Sequence, residues 1–179
     1  RQLLEGTEAR HYRELAARSN YLAQDRVDIQ YAVKEICRGM CNPCKGDVKK
    51  LRRLTRYFIT VPRVVMKYEW QSEGHQMIGH TDSDFAGCRV TAKSTSGGVI
   101  SMGTHSLKSW SSTQKTIALG SGEAELTAVV KCSCECIGMV QMAEDWGLTI
   151  EADVMVDSTA ALGVGNRKGA GRLRHVRVG

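Results

Sequence analysis

Proline is almost missing from this chain, with 2 in 179 residues, at positions 43 and 62. That scarcity excludes a polyproline or collagen-like chain, and a composition of 42% apolar and 25% charged residues excludes a disordered one. No stretch approaches 18 consecutive uncharged apolar residues, and the opening Arg1-Gln-Leu-Leu-Glu-Gly6 lacks an apolar core with a small-residue cleavage site. No membrane span and no secretory signal are therefore expected. Without a secretory context, the seven cysteines, an odd number, read as free thiols in a reducing intracellular compartment. The chain begins on Arg and stops within the apolar/basic alternation Arg174-His-Val-Arg-Val-Gly179, so a piece of a longer protein is expected.

What the chain has in excess is positive charge, and it is unevenly spread. Residues 1–70 hold 15 Lys/Arg against 8 Asp/Glu, whereas residues 71–179 hold 10 against 11. The densest part, Lys45 to Arg56, carries six cations and one acid. Lys49, Lys50, Arg52 and Arg53 within it are candidate contacts to a polyanion such as a nucleic-acid backbone, the competing reading being a solvated helix face.

Apolar spacing divides the chain in the same way. Tyr12, Leu15, Ala16 and Leu22 form one helical stripe, Ile29, Ala32, Val33, Ile36 and Met40 a second, and Val48, Leu51, Leu54, Tyr57 and Phe58 a third. Breaks fall at Gln24-Asp25-Arg26 and around Asn42-Pro43. After Pro62 the texture becomes β-rich, predicting strands over 64–68, 77–82, 98–102 and 107–110, with Gly103-Thr104 as a hairpin turn. Helical spacing returns from Gly122 to Trp146, with Gly147 as its stop. A strand at Val154–Val156 follows, then a helix with Ser158 as N-cap. The order after residue 70 is β, β, β, α, β, α, which predicts an α/β fold with a mixed sheet and packed helices, preceded by an all-α three-helix segment.

Three acids occupy special places in this order. Asp82 ends one strand, Asp157 ends another, and Glu123 lies in the first turn of the long helix. Strand ends and a helix start can converge at one sheet edge, and clustered carboxylates repel one another unless a hard cation such as Mg²⁺ or Mn²⁺ joins them. Two such ions can activate water and stabilise the leaving oxygen of a phosphodiester. On spacing alone this signal is weak, because an acid at a strand end is usually a turn or capping residue.

The wording around these acids is more specific. The segments His80-Thr-Asp-Ser-Asp-Phe-Ala-Gly-Cys88, Lys93-Ser-Thr-Ser-Gly97, Ser109-Trp-Ser-Ser-Thr-Gln-Lys115, Ala118-Leu-Gly-Ser-Gly-Glu-Ala-Glu-Leu126 and Val156-Asp-Ser-Thr-Ala-Ala-Leu162 resemble, in order, the RNase H domain of Copia-type (Pseudoviridae) LTR retrotransposon polyproteins. Upstream, Tyr12-Arg-Glu-Leu15, Arg26-Val-Asp-Ile-Gln-Tyr-Ala-Val33 and Leu51-Arg-Arg-Leu-Thr-Arg-Tyr57 resemble the end of the reverse transcriptase region of the same polyproteins. The resemblance implies a helical connection segment over 1–70 and a C-terminally truncated RNase H-like domain over 71–179. It implies two Mg²⁺ or Mn²⁺ ions held by Asp82, Glu123 and Asp157, and hydrolysis of the RNA strand of an RNA–DNA hybrid. It further implies the upstream polymerase region as a partner, no membrane, no small-molecule cofactor, and a place in the cytoplasm or a virus-like particle. Asp84 and Glu125 share these motifs and read as supporting residues. Lys93, Ser94 and Thr95, with Arg172 and Arg174, are candidate contacts to phosphate or to the RNA 2′-hydroxyl, and His175 is a possible accessory group.

Departures from the family's wording open a rival reading. Arg174-His-Val-Arg177 stands where the family has Lys-His-Ile-Asp, so no acid follows Asp157, and glycines occupy positions 120 and 122 just before Glu123. A degenerate, non-catalytic relic that still binds nucleic acid is the alternative. Two other patterns read as structural. Cys37-x-x-x-Cys41-x-x-Cys44 has the spacing of an iron–sulfur motif but falls on a helix, and a zinc site would need a fourth ligand. Trp70, Trp110 and Trp146 each close an apolar run, which predicts core or boundary aromatics.

Overall fold

A computed structural model describes residues 2–72 and 74–165. The chain divides after Lys67 into two compact units. The first is helical: α1 (Gly6–Leu22), a 3₁₀ turn (Val27–Ile29), α2 (Gln30–Cys37) and α3 (Lys45–Thr60). Their apolar stripes meet in a core of Tyr12, Ala16, Ile29, Val33, Ile36, Leu51 and Leu54. Polar ties fix the geometry. The Tyr12 hydroxyl donates to the Ile36 carbonyl at 2.6 Å, and the Arg13 guanidinium donates to the Met40 carbonyl at 2.8 Å, closing the loop after α2 over α1. The buried Asp47 carboxylate accepts from the Cys44 N–H at 3.1 Å, a capping box that starts α3 where Pro43 ends the preceding loop.

In the second unit, β1 (Gln76–Ser83), β2 (Thr95–Met102), β3 (His105–Thr113) and β4 (Glu151–Met155) form one sheet in the order β3-β2-β1-β4. The first three strands are antiparallel neighbours, and β4 runs parallel to β1 after the crossover through α4 (Ser121–Asp145). The chain is thus mixed α/β, with five α-helices and a four-stranded mixed sheet among the described residues. Gly103 turns between β2 and β3 at φ +57°, where a side chain would be strained. At the other end of α4, Gly147 at φ +77° donates to Glu144 while the Leu148 N–H reaches the Ala143 carbonyl, a Schellman stop. Ser158 caps α5 (Thr159–Gly165) by accepting the Ala161 N–H at 3.2 Å.

Helix α4 lies on the sheet through a row of small residues at four-residue spacing: Ala124, Ala128, Cys132 and Cys136, all buried. Beneath them are Met77 and Ile100, flanked by Met102, Trp110, Ala152 and Val154. Among the described residues α4 alone is long and apolar enough to cross a membrane, and its buried row is the sheet-facing side of the core.

Two expectations are corrected here. The strand predicted over 64–68 is absent: residues 61–72 carry no ladder, and Val65 is 74% exposed. Alternating apolar residues form a strand only where a neighbour accepts their backbone bonds. Trp70 is 97% exposed and Trp146 69%, so neither is a core aromatic, whereas Trp110 is half-buried against β2.

Candidate metal centre

Parallel pairing of β1 and β4 decides where two of the acids go. The last register pair is His80 with Met155, so Asp82 and Asp157 each lie two residues beyond it at the same edge of the sheet. The second turn of α4 brings Glu125 to that edge. One carboxylate oxygen from each of Asp82, Glu125 and Asp157 lies within 4.8 Å of the others. Asp82 and Asp157 are exposed and Glu125 is half-buried. Burial, and then the like charges of Asp82 and Asp157, push the Glu125 carboxyl above its usual range, with Ser83 beside it working the other way. Glu125 Oε2 is buried with no hydrogen-bond partner. Three carboxylates this close together, one of them half-buried, are an arrangement that a hard divalent cation satisfies.

Glu123, expected in this group, does something else. From the third helical position its carboxylate reaches back to accept the Leu119 N–H at 2.8 Å, tying the residue ahead of the N-cap Gly120 to the first turn. The physical reason is helical rotation. Taking about 100° per residue, Glu125 lies roughly 40° from the centre of the buried row and Glu123 roughly 160°, so only Glu125 can lean over the sheet edge. The signal was legible in the four-residue spacing of the small residues, which marks the sheet-facing side of α4.

The remaining candidates separate. Ser94 is fully buried, with its Oγ accepting the Ala86 N–H at 3.0 Å and its carbonyl accepting the Gln114 N–H at 2.8 Å. Thr95 is buried and its N–H donates to the Asp84 carboxylate. These two therefore tie the neck of the β1–β2 loop instead of presenting contacts to a ligand; Lys93 beside them is half-buried. On α3, Lys49 and Arg52 are exposed and join Lys45 and His11 around a groove of about 370 Å³ floored by Leu4, Tyr12 and Val48. Lys50 pairs with Asp47 at 3.2 Å, and with Arg53 it lies on the side of α3 that holds Asp28 and Glu35. Arg172, Arg174 and His175 lie outside the described residues. Among the described residues no disulfide forms, and no group of possible metal ligands includes a cysteine.

No family model and no solved structure matches the chain. Curated relatives do, among them three from Arabidopsis thaliana. The retrovirus-related Pol polyprotein from transposon RE1 of Arabidopsis thaliana is 29% identical over 147 residues, covering 80% of this chain and 10% of that protein. The Pol polyprotein from transposon RE2 of the same plant is 29% identical over 142 residues, covering 78% and 10%. The uncharacterized mitochondrial protein AtMg00810, also from Arabidopsis, is 32% identical over 127 residues, covering 69% and 51%. The chain is thus similar to retrovirus-related Pol polyproteins of transposons and spans about a tenth of their length.

Proposed function

We propose that the unit from Tyr68 onward is the RNase H-like domain of a Copia-type polyprotein and hydrolyses the RNA strand of RNA–DNA hybrids. The observation that carries this reading is the convergence of Asp82, Glu125 and Asp157 at one sheet edge. These three would hold Mg²⁺ or Mn²⁺, which when bound supplies an activated water and charge stabilisation at the leaving oxygen. The chain's own part is positional. Two exposed aspartates at neighbouring strand ends leave room for a phosphodiester, while the half-buried Glu125 closes the inner side. The basic edge of α3, with Lys45, Lys49 and Arg52, would hold the hybrid through its phosphates without reading sequence. The upstream polymerase region and an intracellular location complete the reading.

A specific observation favours the relic as the second reading: Gly120, the N-cap of α4, has no side chain to bond the helix's own first N–H groups, which loosens the turn leading to Glu125. Cleavage of an end-labelled RNA–DNA hybrid with Mg²⁺ or Mn²⁺ separates them. Metal-dependent cutting of the RNA strand that Asp82→Asn and Glu125→Gln abolish supports the nuclease. Hybrid binding without cutting by a folded chain supports the relic.

A further inference from the structure

Two buried polar side chains hold the start of α4 on the sheet. Gln114, the residue after β3, is 5% exposed; its Nε2 donates to the Ala124 carbonyl at 2.8 Å and to Ser96 Oγ at 3.0 Å. Thr81 of β1 is 7% exposed, and its hydroxyl proton is shared between the Gly97 carbonyl at 2.8 Å and the Ala128 carbonyl at 3.3 Å. A carbonyl oxygen has two lone pairs, so Ala124 and Ala128 accept from the sheet beside their helical bonds. A carbonyl only accepts, which fixes the Gln114 amide with its nitrogen toward the helix. The two anchored carbonyls belong to residues one before and three after Glu125.

Something of this kind is needed here. A row of Ala and Cys presents a smooth face that resists sliding and rolling poorly. A roll of about 20° carries a side-chain tip at the helix radius of about 5–6 Å through about 2 Å, comparable to a whole Mg²⁺–oxygen bond. Gln114 also reaches the far side of the site: its N–H holds Ser94, whose Oγ receives Ala86, and Thr95 next to it meets Asp84, two residues from Asp82.

We infer that Gln114, seconded by Thr81, is a positioning residue that sets the rotation and axial register of α4, so that the Glu125 carboxylate meets Asp82 and Asp157. This rests on reading those acids as a metal site. Gln114 touches no reacting group itself; it acts through the α4 backbone and the β1–β2 loop neck.

The test is Mn²⁺ binding followed by electron paramagnetic resonance, with amide exchange by mass spectrometry, on the whole chain and on Gln114→Met, Thr81→Val, Asp82→Asn and the core control Ile100→Val. Gln114→Met keeps length and volume but loses both side-chain donors. It is expected to weaken Mn²⁺ binding about tenfold or more, as loss of outer supports does elsewhere, with a smaller loss in Thr81→Val. Both are expected to speed exchange at residues 121–128 more than at 136–143. Ile100→Val is expected to lower the melting temperature without either effect. A folded Gln114→Met with wild-type Mn²⁺ affinity, or exchange that rises evenly along α4, overturns the inference. If the wild type binds no Mn²⁺, or Asp82→Asn binds it equally well, the metal reading fails instead. The positioning role is then decided by exchange alone: selective loosening at 121–128 upholds it and uniform loosening overturns it.

Discussion

Gly79 of β1 lies directly beneath Cys132 of α4: a Cβ on Gly79 would stand 2.7 Å from the Cys132 Sγ and 3.1 Å from the Cys136 Sγ. Strand and helix approach this closely only because one side offers hydrogen and the other thiols. Gly79→Ala is therefore expected to cost roughly 1–3 kcal/mol by overpacking. Adding Cys132→Ala should recover part of that loss, because the two changes share one contact. Urea midpoints of the two single variants and the double measure it; strictly additive losses would mean that α4 yields without strain.

The two glutamates of α4 are expected to separate cleanly. Glu125→Gln should abolish metal-dependent cleavage and Mn²⁺ binding. Glu123→Ala should leave Mn²⁺ affinity within about threefold while lowering stability by about 1 kcal/mol, the usual worth of one hydrogen bond such as that to the Leu119 N–H. Mn²⁺ titration and thermal melting of both variants are sufficient to check it. Loss of Mn²⁺ binding in Glu123→Ala with full binding in Glu125→Gln would reverse the assignment.

Burial, reinforced by the neighbouring Cys136, pushes the Cys132 thiol up from 9.0 to about 12. A thiol raised in the folded state stays neutral there while the unfolded chain ionises. Its contribution is complete below about pH 9 and is lost as pH rises from 9 toward 12. The urea midpoint of the wild type should accordingly fall more steeply over that window than the midpoint of Cys132→Ala. At pH 8 a thiol reagent should modify the exposed Cys41 and Cys134 quickly and spare Cys132 and Cys136 until unfolding.

In the helical unit, Asp47 is 3% exposed and holds the Cys44 N–H and Sγ at the start of α3. Asp47→Ala should cost about 1–2 kcal/mol through loss of the cap. Lys50→Ala, which removes only the half-exposed partner of the same carboxylate, should stay within about 0.5 kcal/mol. Thermal melts of the two variants distinguish a capping role from an ion-pair role: equal losses would point to the pair.

Local signals carried far in the element order because they depend on few neighbours. Pro43 breaks the chain before α3, Gly147 ends α4 at positive φ, and Ser158 caps α5, each where its chemistry predicts. The apolar run at 64–68 misled for the complementary reason: a strand is a property of two segments, and no ladder forms there. Ser94 misled similarly. A hydroxyl beside a lysine looks like a phosphate contact until the loop closes over it and turns it inward to Ala86.

By itself, then, the sequence determined the three helical stripes, the strand-rich second unit and the two strand-end aspartates, since these follow from residue periodicity and turn chemistry. That Asp82 and Asp157 are neighbours follows from β4 pairing parallel to β1, which a string of strands does not specify. Which glutamate joins them was decided only in three dimensions. The rotation of α4 about its axis is set by the packing of Ala124, Ala128, Cys132 and Cys136 and by hydrogen bonds from Gln114 and Thr81. Two residues along a helix turn a carboxylate through roughly 200°, from one that holds the Leu119 N–H to one that meets the other acids.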